Sequence, residues 1–506
     1  MKSKAIKRPK NVLLAVLLLG FMGGIQTTDP IISSIALVDA SQALHFSGST
    51  TALASGISTL ALAATVITAG LLADRIGRRL LLMLALVTAI AGDVLVAVST
   101  DAPMYLAGRV IAGIGLGGVF GAAFAYIRAV AGDRIGSALG QFGAMGGITT
   151  MVAGLIGGIL VTSSWRAAYL VVPLLCLISL LLVPILLPKE PRLRGGSIDF
   201  PGIILIAVAV TGILYGVSQA SSSLMAMTTW LPILIGLVAL AVFVVVEQRS
   251  KHAIFPIYLF RSPVFIAAAL TVMVWNLAQA VTVLQLSNLW QYVEHYTPTM
   301  VTFGQLPFSV AAIIASIIVG RTLAKGKSPR SRILVGMGLM TLGFLSLALL
   351  PHGTTYWTYL PALLLIGFGL PFAIVPSGQL FMSEAPTKSF GPVTSSKTTI
   401  GQFGYALGLA GSMVLVSSLT SGGITHKLIQ AGVPPWQTGQ GLDAVSAYVD
   451  TGTHASTEVG RYALQVAAGS YTEAFSIGAL VFAGITAITG IIAYLLLLSH
   501  TKKRTV

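Results

Sequence analysis

The sequence predicts an all-α membrane protein of about fourteen transmembrane helices, and three observations predict it. Only 9% of its 506 residues are charged and 55% are hydrophobic, whereas a soluble domain carries about 25% charged residues. Mean hydropathy is +0.89. The apolar runs are continuous and reach the ~20 residues that one bilayer crossing needs. They lack the ~10-residue alternating pattern of a membrane barrel.

Fourteen such runs lie near 12–37, 51–73, 80–99, 104–127, 137–162, 167–187, 200–220, 229–247, 264–291, 300–321, 333–351, 358–382, 393–419 and 472–498. The first follows the basic segment MKSKAIKRPK. It is too long for a signal peptide and no small-residue cleavage pattern follows it, so it reads as an uncleaved helix. An even count places both termini on one side. With the N-terminus in the cytoplasm, all of the 30 Lys and Arg except Arg109, Arg166, Lys427 and Arg461 fall inside. That bias sets the expected orientation, with both termini cytoplasmic. It also accounts for the net charge of +15 without a nucleic-acid partner, because the basic residues punctuate apolar spans instead of clustering on a polar face.

Cys176 is the single cysteine, so an intramolecular disulfide and a cysteine-rich metal site are excluded. No phosphate loop, metal-ligand cluster or Ser/His/Asp arrangement occurs. The expectation is a protein that is not an enzyme, has no cofactor and draws on an ion gradient. The lipid bilayer is an expected partner, and a monomer is expected.

Most connections are short. Residues 421–470 are the exception, being polar and rich in Gly, Thr and Ser, with Pro434, Pro435 and Trp436 marking a turn. They read as a partly ordered external loop. A faint repeat relates GLLADRIGRRLLL at 70–82 to GRTLAKGKSPRSR at 320–332. Repeated halves are a common transporter design. The expected organisation is a six-helix half over 1–198, a two-helix insertion over 199–255 and a second six-helix half over 256–506.

The segment at 70–82 resembles the signature of the major facilitator superfamily, with Gly70, Asp74, Arg75, Gly77, Arg78 and Arg79 in the signature places. The resemblance implies a conformational latch between two six-helix halves. Other segments resemble the fourteen-helix drug/proton antiporter branch. In the first span QTTDPIISSIALV carries the acidic residue, Asp29; in the fourth, Arg109 stands with Gly113 and Gly117. In the fifth, Gly154, Gly157 and Gly158 resemble the antiporter motif, followed by Trp165 and Arg166. Ala153 and Gly154 stand where that motif usually has Gly-Pro. Asp199 and Gly202 resemble the start of the inserted pair. The branch implies proton-coupled efflux of lipophilic, including cationic, compounds, antibiotics among them. Uptake by proton symport, lipid flipping and a non-transporting receptor are the competing readings.

Charges inside a bilayer are costly and each needs a reason. Asp29 lies about 27 Å along the first helix, Asp93 about 9 Å and Arg109 about 8 Å from the outer ends of the third and fourth, at 1.5 Å per residue. The three share one depth, so Arg109 is expected to pair with one of the two carboxylates. Asp29 is the leading proton or cation site and Asp93 the second. Lys397, near an inner span end, is expected to snorkel to the headgroups.

Phe21, Phe120, Phe124, Trp275, Asn276, Phe372, Gln402, Phe403 and Tyr405 are candidates to line a cavity, since lipophilic ligands suit apolar walls with few polar groups. The ninth and thirteenth spans correspond to central helices in the family, which favours Trp275, Asn276 and Gln402 through Tyr405. Glycine density in the fifth span fits close helix packing.

Overall fold

The computed structural model describes residues 11–46, 48–189, 200–220, 226–249, 255–349, 355–386, 390–451 and 455–503. Asp199, the N-terminal basic tail and the Asp74 side chain lie outside the described set. Seventeen α-helices run in order among the described residues, and no strand is found there.

Local chemistry sets where the helices begin. Asn11 opens α1 (Val12–Ala43), its side chain accepting the Leu14 N–H at 3.2 Å. Asp101 does the same for α4 (Ala102–Ala131), accepting from Met104 at 2.8 Å. Ser262 caps α10 (Pro263–Tyr292), with proline in its first turn. Such side chains satisfy amide groups that a helix start leaves without partners. Between α2 (Gly48–Ile76) and α3 (Arg78–Ala97) the chain reverses at Gly77, whose φ of +98° is a conformation that a side chain disfavours.

The remaining spans follow with short turns. They are α5 (Ile135–Val161), then α6 (Trp165–Tyr169) and α7 (Val171–Leu186), which together make the sixth crossing. Next come α8 (Phe200–Ala220) and α9 (Met227–Arg249). After α10 come α11 (Pro298–Gly304), α12 (Leu306–Ala324), α13 (Pro329–Ala348) and α14 (Tyr356–Glu384). The chain ends with α15 (Phe390–Gln430), α16 (Thr438–Thr451) and α17 (Glu458–Lys503). Fourteen of the described helical stretches are long and apolar enough to cross a bilayer. Leu181, Ile185, Leu234 and Ile488 are among many exposed aliphatic side chains, the surface that lipid rather than water covers. This is a multi-pass membrane protein.

Two large apolar cores hold the bundle. One gathers the first six spans together with residues of α8, α9, α10, α12, α14 and α15, and includes Leu19, Val66, Leu116 and Phe124. The other, in the last six, centres on Trp290, Met340, Phe344 and Phe482. The α8–α9 pair is knitted by Gly212 and Gly216, where a side chain would strike the Pro232 and Thr229 carbonyls. Its Val210, Leu214 and Phe243 join the first core.

The expectation of an external loop over 421–470 is corrected. Helix α15 continues to Gln430, α16 occupies 438–451 and α17 starts at Glu458. Ile424, Leu428 and Ala463 form a small core of their own, and Lys427 pairs with Glu473 at 2.9 Å. The segment reads as polar because its helices lie beyond the apolar layer, where only one narrow face is buried.

Candidate functional site

The three charges set at one depth by the sequence meet between α1, α3 and α4. Arg109 donates to both Asp29 oxygens, at 2.6 and 3.0 Å, and reaches Asp93 Oδ1 at 3.5 Å. Ser58 of α2 donates to Asp29 Oδ2 at 2.9 Å. All three charged side chains are buried, none more than 2% exposed as a residue. Two-point guanidinium–carboxylate contact is strong and directional, and removal from water makes its geometry matter. Asp93 Oδ2 is buried with no hydrogen-bond partner, and so is Arg109 Nε. Two carboxylates thus share one guanidinium.

Phenols wall the cluster. Tyr169, at the end of α6, lies under the Arg109 guanidinium at 5.5 Å and donates to Ser33 at 3.3 Å. Its hydroxyl also meets that of Tyr105 at 2.5 Å. Arg166 caps this wall, donating to the Ser99 carbonyl at 2.8 Å and lying over the Trp165 ring.

At the end of the bundle that carries the basic turns, the first and last six spans close on each other. Arg78 and Arg128 both lie over the Phe390 ring, at 5.6 and 4.9 Å, and Arg128 donates to the Met382 carbonyl at 3.1 Å. Arg79 turns instead to the Leu187 carbonyl at 3.3 Å, within its own set of spans. Arg75 stands in the last turn of α2, and Gly70 lies one helix turn before Asp74, beside Gly121 of α4. Gly136 and Gly140 of α5 abut Leu323, Ser316 and Gly320 of α12, and Gly147 meets Ile313. A Cβ on Gly140 would sit 2.5 Å from the Ser316 carbonyl.

Further along α5 the partners change. Gly157 packs on Ile32 of α1 and Gly154 touches Ile31 only loosely. Gly158 faces open space, which corrects its assignment to a packing motif. The proline missing before these glycines leaves α5 unbroken from Ile135 to Val161. Helices α5 and α12 therefore touch at the basic end and lose these contacts toward the opposite end.

The cavity candidates divide. Phe120 and Phe124 stack at 6.2 Å, and Phe142 of α5 meets both edge-on. Phe21 is half-buried against the same core. Phe372 is buried and joins the same core as Phe124. Trp275 and Asn276 do lie against the Gln402–Tyr405 stretch. Gly401 abuts the Asn276 amide and Gly404 abuts the Met273 carbonyl. Gln402, Phe403 and Tyr405 are half-buried. Lys397 is corrected as well. It does not snorkel, but lies buried with its ammonium 4.4 Å from the Phe124 ring centre.

The sequence profile of the Major Facilitator Superfamily matches residues 12–409. This chain belongs to that superfamily. An uncharacterised transporter of the superfamily from Mycobacterium tuberculosis is 28% identical over 76% of this chain, and the chain spans only 58% of that relative's length. A multidrug resistance protein B homolog from the same organism is 28% identical over 71% of the chain and 67% of its own length. The human organic anion transporter MFSD10 shares the fold, with a TM-score of 0.59 at 13% identity over 95% of this chain and 100% of that one.

Within this superfamily member, sequence reasoning missed Ser58, Tyr105, Tyr169 and Phe142. Hydroxyls and aromatics are frequent in apolar helices, and a depth estimate does not say which way a side chain faces. Gly401, Gly404 and Gly408, which seat α15 on α10, had a readable signal in their three- and four-residue spacing.

Proposed function

We propose that the chain is a proton-coupled exporter of lipophilic small molecules, with both termini in the cytoplasm of a bacterial cell. The observation that carries this is the buried group of Asp29, Asp93 and Arg109. With all three ionised it holds one negative charge in excess, deep in a low-dielectric bundle where an unbalanced charge is costly. One added proton balances it. A bundle that exposes this group to each side in turn therefore loads and releases a proton, and that exchange drives a second solute.

Closure at the basic end fits one of the two end states of such a cycle, the one open away from the cytoplasm. The aromatic group of Phe120, Phe124 and Phe142 suits an apolar solute. Relatives named as multidrug transporters support export over uptake.

The test measures internal pH in everted vesicles that hold the protein and an imposed proton gradient. Lipophilic compounds of both charges are added in turn. Dissipation of the gradient by particular compounds, lost in Asp29→Asn and Asp93→Asn, is the expected result. No response from folded protein across the panel overturns the reading.

A further inference from the structure

The proposed coupling leaves one buried charge without a task. Among the buried charged side chains of the described residues, Asp29, Asp93 and Arg109 form one group and Glu247 accepts the Phe255 N–H. Lys397 on α15 is the remaining one. It is 8% exposed, and no carboxylate among the described residues lies within ion-pair distance of it. Of the acidic residues described in the last six spans, Glu294 and Glu384 stand at helix ends, Glu458 opens α17, and Glu473, farther along α17, pairs with Lys427.

Its nearest electrostatic partner is the face of Phe124, across the seam between the first and last six spans. An aromatic face attracts a cation, but it returns only part of what removal from water costs an ammonium. A leucine or methionine would pack there without that cost. The position therefore sets an amine with no acidic partner among the described residues beside a cluster of ring faces. Phe124 is flanked by Phe120 and Phe142 at 6.2 and 6.1 Å, and both of these are half-buried rather than sealed in the core.

A positive point next to aromatic surface is complementary to a single kind of molecule, one with an anionic head and an apolar or aromatic body. We propose that Lys397, with Phe124 beneath it, is the head-group site for an amphipathic anion. The exported compound then carries a negative charge, whereas the resemblance pointed to lipophilic compounds that include cations. This deepens the export reading and rests on it. The anion's carboxylate, sulfonate or phosphate takes over the ammonium from the Phe124 face, while its body lies against the Phe120 and Phe142 rings. A membrane lipid and a soluble amphiphile share this chemistry.

The experiment titrates purified protein in neutral detergent with 2-naphthoate, 2-naphthylmethanol and 2-naphthylmethylammonium, which share a ring system and differ in charge. Naphthoate is expected to bind most tightly. Lys397→Met should weaken it about ten- to hundred-fold, the range of a charge-assisted contact, and leave the neutral alcohol unchanged. Lys397→Arg should restore most of the affinity. Equal naphthoate affinity in wild type and Lys397→Met overturns the proposal, and so does a wild-type preference for the ammonium. Should Lys397→Met not fold, the charge preference of the wild type decides. Competition by phosphatidylglycerol but not phosphatidylcholine identifies a lipid as the anion, and its absence a soluble amphiphile. Binding in detergent needs no proton gradient, so a failure here leaves the coupling at Asp29 and Asp93 standing. Lost coupling with naphthoate binding intact would leave this site standing.

Discussion

Arg109 grips Asp29 through both terminal guanidinium nitrogens, at 2.6 and 3.0 Å, while the second carboxylate, Asp93, is met only at 3.5 Å. The asymmetry makes Arg109 and Asp29 a pair and Asp93 the looser member. Replacing Arg109 by methionine strands two buried carboxylates. A loss of about 3–5 kcal/mol is expected, the range for breaking one partner of a buried pair, read as lower thermal stability in detergent. The exchanged double variant Asp29→Arg with Arg109→Asp should be more stable than either single change. Purely additive damage would argue against the pair.

Asp93 is expected to behave oppositely. Its Oδ2 has no partner, and with all three side chains ionised the group holds one negative charge in excess. Asp93→Asn keeps the shape and removes that excess. Thermal stability should stay equal or rise, while proton flux coupled to substrate is lost. A destabilised Asp93→Asn protein with intact coupling would show that this carboxylate is structural.

The closed basic end rests on backbone approach. Gly140→Val places side-chain atoms where the Ser316 carbonyl already lies 2.5 Å from a Cβ. Helices α5 and α12 should separate there. Spin labels at Arg134 and Lys325, both exposed, in a Cys176→Ser background, should report a longer distance. An unchanged distance would show that α5 yields elsewhere.

Phe390 joins the same closure through its ring rather than its bulk. Phe390→Leu retains an apolar side chain and removes the face that Arg78 and Arg128 share. Each cation–π contact is worth about 0.5–2 kcal/mol. The same label pair should therefore show a larger open fraction, with little change in melting temperature.

Gly77 gives a stability prediction that is independent of transport. A side chain at its φ of +98° costs about 1–3 kcal/mol. Gly77→Ala should lower the melting temperature, and an unchanged value would mean that the α2–α3 turn relaxes freely.

Much of this architecture was legible in the sequence, and the reason is physical. A bilayer demands long apolar runs, so fourteen of them could be counted directly. Helix rise then converts sequence position into depth, and three intramembrane charges at one depth had little choice but to meet. What depth does not give is azimuth. Tyr169 and Ser58 close around the charges from neighbouring helices, and neither differs from the many hydroxyl-bearing residues that face lipid or core. Lys397 was misread for a related reason. Near a span end a lysine ordinarily reaches for water, and nothing local reveals that Phe124, from a helix far away in sequence, lies across its path. The 421–470 segment misled through composition, since a helix outside the membrane carries the same polar residues as a loop.

Helices α15 and α17 have 41 and 46 residues, about 60 and 70 Å at 1.5 Å per residue, against a hydrocarbon layer of ~30 Å. Each stands well clear of the membrane, and α16 with the Lys427–Glu473 pair ties the two free ends into one stiff mast. Such a mast is a lever arm. A rocking of about 10° carries a tip ~30 Å from the pivot through about 5 Å at this helix rise. Motion too small to resolve within the bilayer becomes easy to read at the tip with a single fluorophore. By the same leverage, a rigid binder that braces the mast against the neighbouring surface would halt the rocking without ever entering the membrane.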